Sequence, residues 1–211
     1  DHWIDEGLWD EFPTPSAVRD GIWRPAFARA KIHALDYGNF TAGGLVITGG
    51  YGHFDLGMRD RNLAVSGELA TLDHYRSGRF AGVVWNDMRH IPHAAETIES
   101  EARLQAEGIG RRLDEAVASG RSVLVVTHTV PFPELNGHAA EVPERPSRFF
   151  DAYAGNTLVG ERLAARADRI ALAVCGHTHK PVPRITLRGI PCENVGSDPG
   201  NLRFVVFEQT T

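Results

Sequence analysis

The chain has 211 residues, of which 42% are hydrophobic and 23% charged, a composition typical of one globular domain with a real core. A formal net charge of -5 and the lack of a basic cluster argue against nucleic acid as a partner. No apolar run is long enough to predict a membrane-spanning helix, so no membrane partner is expected. The two cysteines, Cys175 and Cys192, lack CxxC spacing, and a reducing, cytoplasmic compartment is the default expectation.

The first part of the chain predicts few regular elements. Residues 1–21, rich in Asp, Glu, Pro and Trp, are expected to be irregular. They start at Asp1 without methionine or a signal-peptide pattern, which predicts a fragment or a processed product. Pro25 opens a predicted helix that continues to Leu35. Strands are predicted for GLVITGG (44–50) and FAGVVWND (80–87), which are rich in β-branched and aromatic residues.

The second part alternates helices with buried strands. A helical pattern covers 93–119, and Gly108 and Gly110 leave open whether this is one bent helix or two. The other predicted elements are strand 122–128, a proline-bearing loop 129–146, helix 156–167 with Asn156 as its N-cap, strand 169–176, and three tail strands in PRITLRG, IPCENVG and RFVVFEQ. This order predicts a layered α/β sandwich rather than a purely parallel fold.

Both buried strands lead into histidine. SVLVVTH ends at His128, and RIALAVCG continues into GHTH, which contains His177 and His179. Functional groups of α/β sheets collect beyond the carboxyl ends of strands, and neutral imidazole is a common ligand of transition metals. In an extended segment, residues i and i+2 point the same way, so His177 and His179 can face one centre. We therefore predict that His128, His177 and His179 bind metal.

The remaining histidines have no partner at ligand spacing on a predicted strand end. Each is expected to be an ordinary structural residue, and this reading applies to His33, His53, His74, His90, His93 and His138.

VVTHTVPF and CGHTHKP resemble the last two motifs of the calcineurin-like metallophosphoesterases, whose pattern runs DxH, GDxxD, GNH followed by Asp or Glu, a later His, then GHxH. VVWNDMRHI and ENVGSDPGN also resemble segments of family members. The resemblance implies an αββα sandwich of mixed sheets that holds two divalent ions, either Mn, Zn or Fe. It implies that His128 and His177 bind one ion and His179 the other.

The resemblance also implies a reaction. The family hydrolyses a phosphomonoester or phosphodiester bond of a small phosphorylated substrate through a bridging water activated by two metals. Asn194 and Ser197, near the end of ENVGS, are the candidates for the substrate side. No residue of this sequence is assigned as the catalytic acid or base.

The first three family motifs do not occur in this sequence. Asp1-His2-Trp3 is not DxH, and Phe40 stands where YGNF would need a histidine. Asp1 matches the acidic residue that follows GNH, so 1–211 is expected to be a single metallophosphoesterase-like domain that lacks its N-terminal strands. Three histidines cannot fill the shells of two metals. The carboxylates considered as substitutes are Asp55, Asp73, Asp87 and Asp198, although most surface carboxylates are simply solvated.

Three interpretations stay open. The first is a metal-dependent phosphoesterase whose isolated chain 1–211 is inactive. The second is a non-catalytic or degenerate metal-binding module of the same fold. The third is a mononuclear zinc site formed by His128, His177, His179 and a water molecule.

Overall fold

The computed structural model describes residues 11–12, 14–91, 94–137, 145–198 and 200–207. The predictions that concern Asp1, His93 and His138 lie outside this part of the chain. The strands are β1 (Phe40–Ala42), β2 (Leu45–Gly50), β3 (Ala64–Val65), β4 (Glu68–Leu69), β5 (Arg79–Phe80), β6 (Val83–Val84), β7 (Ser122–Thr127), β8 (Ile170–Cys175), β9 (Val182–Leu187) and β10 (Ile190–Asn194).

The first helix, α1, covers 15–30 and consists of Pro15–Val18, a π-helical turn Arg19–Trp23, and Arg24–Ala30. The others are α2 (Leu72–Ser77), α3 (Asp87–His90), α4 (Ala94–Ala118) and α5 (Thr157–Ala164), with short 3-10 segments at Pro133–Leu135, Pro146–Tyr153 and Ala167–Arg169. None of the described helices has the length and apolar character that a membrane span requires.

Six strands form one mixed sheet in the order β1-β2-β7-β8-β10-β9, while β3–β4 and β5–β6 are separate hairpins. The four central strands β2, β7, β8 and β10 run parallel, and β1 and β9 pair antiparallel at the two edges. Because neighbouring parallel strands end at the same edge of a sheet, the residues that follow Gly50, Thr127, Cys175 and Asn194 come together there. This edge positions the candidate site.

Helices α4 and α5 cover one face of the sheet and form the main core. Their buried side chains pack against alternate residues of the strands, in a cluster that includes Val46, Ile109, Leu113, Val123, Val125, Val159, Leu163 and Ala173. Burying one such large aliphatic side chain contributes roughly 1.5–3 kcal/mol. A second cluster is mainly aromatic and lies beside the candidate site; it contains Phe54, Tyr75, Phe80, Phe149 and Tyr153.

Most elements predicted for the second part of the chain are confirmed. α4 is one continuous helix of 25 residues, which settles the question raised by its two glycines. The helix is followed by Gly120 at φ +72°, the left-handed conformation that glycine adopts readily after a helix. The Asn156 side chain caps α5 by accepting a hydrogen bond from the Val159 amide, as expected. Strands β7 and β8 match their predicted runs within two residues at each end.

The single strand predicted over 80–87 is wrong. The segment contains the β5–β6 turn, strand β6, and the start of α3 at Asp87. Ala81 and Gly82 have φ values of +47° and +81°, and two left-handed residues between short antiparallel strands make a tight hairpin turn. The Ala81-Gly82 pair was the sequence signal for this turn, but it stands among apolar residues that are typical of a strand.

Two further predictions are corrected at the ends of the described chain. Residues 15–21 are helical rather than irregular, and α1 ends at Ala30 instead of continuing to Leu35. The π-helical turn Arg19–Trp23 directly precedes Pro25, which lacks an N–H for the regular helical ladder. In the tail, the described residues of RFVVFEQ, 203–207, form no strand.

Candidate metal site

His128 and His177 are brought together by neighbouring parallel strands. His128 directly follows β7, and His177 lies just beyond β8. The His128 amide donates to the Gly50 carbonyl at 3.2 Å, and the Gly176 amide donates to the His128 carbonyl at 3.1 Å. These backbone bonds extend the sheet ladder past the strand ends. As a result, His128 Nε2 lies 3.0 Å from His177 Nδ1.

The second nitrogen of His177 also has a partner. His177 Nε2 lies 3.1 Å from the carbonyl oxygen of Tyr153, so the ring donates its Nε2 proton there and keeps Nδ1 as an acceptor. A ligand histidine in a metalloprotein typically donates its other N–H to a carbonyl or carboxylate in this way. The Tyr153 carbonyl therefore selects the tautomer in which His177 Nδ1 presents a lone pair toward His128.

One aromatic ring lies against each member of the pair, of which His128 is exposed and His177 half-buried. The Tyr51 ring stacks on His128 with centroids 4.9 Å apart, and Trp85 approaches His177 edge-on at 6.5 Å. Desolvation, with a smaller effect of the neighbouring His177 and His179, lowers the pKa of His128 to about 4. Desolvation also lowers the pKa of His177. Both imidazoles are thus neutral near pH 7, which is the state that binds a metal ion.

The spacing of the two nitrogens fits one shared metal ion. With metal–nitrogen bonds of about 2.0–2.1 Å, two nitrogens on one ion are about 2.9–3.4 Å apart for angles between octahedral and tetrahedral. The 3.0 Å distance between His128 Nε2 and His177 Nδ1 falls in this range. In the metal-free chain the same distance is that of a hydrogen bond from His128 Nε2 to His177 Nδ1, and metal binding by the pair stays a prediction.

The expectation that GHTH is extended is wrong. His177 and His179 have φ values of +69° and +58°, in the left-handed region, and the Thr178 amide donates to the Gly176 carbonyl in a tight bend. A left-handed conformation costs roughly 1–2 kcal/mol for a residue with a Cβ, although histidine tolerates it better than most. The two side chains consequently have different partners.

His179 pairs with a carboxylate instead of joining the other two histidines. Its Nδ1 lies 2.8 Å from Asp198 Oδ1, and about half of each side chain is exposed. A carboxylate at Nδ1 leaves Nε2 as the nitrogen for a metal, an arrangement that is common in metal sites. Within the described ranges, no group of three or more His, Cys, Asp or Glu is arranged to hold an ion.

The two predicted substrate residues lie in the segment after β10. Asn194 is buried and donates to the Leu135 carbonyl at 2.7 Å and to the Thr178 hydroxyl at 2.8 Å, while it accepts from the Gly196 amide. Its side chain thus fixes the GHTH bend. Ser197 accepts a hydrogen bond from the Arg203 amide. A role of either residue with substrate stays a prediction.

Of the four carboxylates considered as substitute ligands, Asp198 contacts a predicted ligand, His179. Asp55 binds the Thr157 and Leu158 amides at the N-terminus of α5, so its role is structural. Asp73 forms an exposed ion pair with Arg76. Asp87 opens α3 and acts electrostatically on the phenol of Tyr51.

The other described histidines agree with their structural reading. His74 Nδ1 accepts from the Thr71 amide in the capping box of α2, and His33 Nε2 contacts the Gly38 carbonyl. His53 is buried and stacks on Phe54.

Two contributors to the site were missed in the sequence. Tyr51 follows the Gly-Gly end of β2, and its place at the same sheet edge as His128 was a usable signal. The Tyr153 carbonyl could not be found by pattern, because a backbone group carries no side-chain signature and 153 is far from both motifs in the chain.

No protein-family model matches this chain, and no curated protein matches it significantly.

Proposed function

We propose that this chain contributes ligands to a metal-dependent phosphoesterase centre of the calcineurin-like metallophosphoesterase kind. The observation that carries the proposal is the pair of neutral histidines at the ends of β7 and β8, with ring nitrogens 3.0 Å apart. The Tyr153 carbonyl supports the same reading, since it fixes the His177 tautomer that a ligand requires.

The residues of this chain have distinct parts in the proposed centre. His128 Nε2 and His177 Nδ1 hold one ion, and Asp198 orients His179 so that its Nε2 is available for the second. The Tyr51 ring excludes water from one side of His128. When bound, two ions of Mn, Zn or Fe supply an activated water and stabilise the negative charge that develops on the phosphoryl group.

The αββα architecture belongs to this proposal. The described sheet has helices on one face, whereas Ile47, Leu124, Val126 and Val174 on the other face are only half-buried. Apolar side chains on an open sheet face favour a second packed layer. A second mixed sheet at this position would complete the sandwich and place the metals between the two sheets.

The proposed compartment is the cytoplasm. Both cysteines are buried and free, and burial raises the pKa of each thiol, so neither is a reactive thiolate. This state of the cysteines suits a reducing compartment.

The substrate that we propose is a small phosphorylated molecule.

Metal titration followed by an activity assay tests the function. We expect metal-free 1–211 to bind Mn²⁺ or Zn²⁺ in a calorimeter, and the His177→Ala variant to lose that binding. Both proteins are then assayed with bis-p-nitrophenyl phosphate, together with the product of the complete coding sequence. Hydrolysis that requires metal and His177 supports the phosphoesterase. If wild-type chain binds no metal in any of these forms, the proposal fails.

A non-catalytic metal-binding module is the second candidate. The observation in its favour is that the described residues bring two histidines together and no third ligand. Three histidines leave two metal shells unfilled, so we expect 1–211 alone to bind metal without measurable turnover. If the complete product also binds metal and shows no turnover with monoesters or diesters, the module is the better description.

A further inference from the structure

A cleft of about 320 Å³ lies between α1, α3, α4 and the segment after β2. Four of its lining residues are Trp or Phe of α1 and Tyr of the following segments: Trp23, Phe27, Tyr37 and Tyr51. Trp23 and Phe27 stack with ring centroids 6.0 Å apart. The volume is that of a small-molecule site, and flat aromatic walls suit a planar ring.

One residue that lines this cleft carries a buried amide donor with no hydrogen-bond partner among the described residues. Gln105 is only 7% exposed and lines the cleft. Its Oε1 accepts a hydrogen bond from the His53 amide at 2.8 Å, whereas Nε2 has no hydrogen-bond partner within the described part of the chain. A buried donor left unsatisfied costs about 1–3 kcal/mol, so a ligand oxygen at this point would remove the cost.

The charges around the cleft are already engaged. Arg19 donates to Ser16 and lies 3.6 Å from a carboxylate oxygen of Glu101. Asp36 accepts from the Tyr51 amide at 3.0 Å. Burial, with the charge of Asp87, raises the pKa of Tyr51 to about 12, so its phenol is neutral. An uncharged ligand group suits these walls better than an ionised one.

Tyr51 connects the cleft to the histidine pair. Its ring forms part of the cleft wall and stacks on His128 at 4.9 Å. Tyr51 is therefore the residue that the cleft wall and the surroundings of a predicted metal ligand have in common.

We propose that this cleft binds the uncharged, planar-ring portion of a small molecule, which gives an oxygen acceptor to Gln105 Nε2. This inference rests on the proposed function in one respect: the ring belongs to the alcohol portion of a phosphoester whose phosphate lies at His128 and His177. The sequence gives no sign of the cleft, because its residues come from separate segments between Pro15 and Gln105.

Benzamide is the probe, because it joins a planar ring to a carbonyl acceptor and carries no phosphate. We expect saturation-transfer NMR on metal-free 1–211 to show benzamide binding at millimolar concentration. Gln105→Glu keeps the oxygen that accepts from His53 and replaces the donor by an acceptor, so binding should weaken at least tenfold. Leu104→Ala, at a half-exposed neighbour on α4 outside the cleft, is the control and should leave binding unchanged.

A second variant keeps the test valid if Gln105→Glu does not fold. Trp23 is 44% exposed, so Trp23→Ala removes an aromatic wall with little risk to the core, and it should weaken benzamide binding severalfold. Absence of benzamide binding to wild-type chain, or binding that neither variant changes, overturns the inference.

The link to the metal site is tested by competition. We expect phenyl phosphate to displace benzamide more strongly when Mn²⁺ is present than when it is absent. If phenyl phosphate does not displace benzamide, the cleft does not hold the alcohol portion. Benzamide binding without any metal binding would refute the proposed function but support the cleft as a binding site. Metal binding without benzamide binding would support the proposed function and refute the cleft as a binding site.

Discussion

Two residue pairs at the sheet edge, His128 with His177 and His179 with Asp198, differ in what holds them. His128 and His177 are fixed by backbone bonds that continue from β7 and β8, and aromatic rings pack around them. His179 and Asp198 form their 2.8 Å contact between two half-exposed side chains on loops. The first pair is held by the strand ends, whereas in the second His179 lies on a bend that Asn194 holds through Thr178.

This difference indicates which half of a metal centre the chain itself can preorganise. Ligands held by strands and locked by a carbonyl need little reordering when an ion binds. An exposed ion pair contributes only about 0–1 kcal/mol and is easily rearranged. We therefore expect changes near His128 and His177 to matter far more than changes near His179 and Asp198.

The largest expected effect comes from crowding the backbone beneath the first pair. A Cβ at Gly49 would lie 1.8 Å from the Val126 carbonyl oxygen, and its φ of +144° disfavours other residues. Gly49→Ala should lower the free energy of unfolding by about 2–4 kcal/mol in urea denaturation. Gly38→Ala is the matched control, because a Cβ there meets nothing within 4 Å. Equal stability of the two variants would show that β2 and β7 are not packed this closely.

The next effect concerns metal affinity. His177→Ala removes a direct ligand, and since loss of a supporting residue alone costs about 10–100-fold, we expect at least a ~100-fold weaker affinity for Zn²⁺ by calorimetry. His33→Gln, at an exposed histidine that contacts the Gly38 carbonyl, should leave the affinity unchanged. Similar losses in both variants would mean that the ion binds histidines nonspecifically.

The buried His53 predicts that the stability of the chain depends on pH. Burial lowers the pKa of His53 from 6.5 to about 4 in the folded chain. The unfolded chain therefore binds more protons between these values, and stability should fall as pH drops from 6.5 toward 4, by up to about 1.4 kcal/mol per pH unit. His53→Gln should reduce this slope in urea denaturation at several pH values, and the lowered pKa values of His128 and His177 should maintain the rest of it. An unchanged slope would show that other groups cause it.

The smallest effect is expected at the second pair. Asp198→Asn keeps the size of the side chain and removes its charge, so we expect at most a ~10-fold loss of metal affinity and no measurable change in the melting temperature. If Asp198→Asn weakens binding as much as His177→Ala, the ranking of the two pairs is wrong.

The sequence predicted the buried strands and long helix well because their signals are local. The apolar runs of β7 and β8, the helical period of α4 and the Asn156 cap depend on nearby residues alone. The hairpin at Ala81 and Gly82 was missed because two left-handed residues stood inside an apolar run. The tail strand failed because a strand depends on a partner that the tail residues do not specify.

The candidate site was predictable in its residues but not in its geometry. Strand ends brought His128 and His177 to one edge, as the topology required. The direction of His179 depended on a left-handed bend that Asn194 holds through Thr178, a contact between distant segments. The Tyr153 carbonyl and the cleft at Gln105 depend on tertiary packing and left no motif.

The central claim is that His128 and His177 hold one metal ion together. Anomalous diffraction at the zinc edge, from crystals of 1–211 grown with Zn²⁺, tests it most directly. We expect a peak at about 2.0–2.1 Å from both His128 Nε2 and His177 Nδ1, with the His177 Nε2 proton still donated to the Tyr153 carbonyl. A zinc ion bound elsewhere, with these two nitrogens left in contact with each other, would contradict the claim.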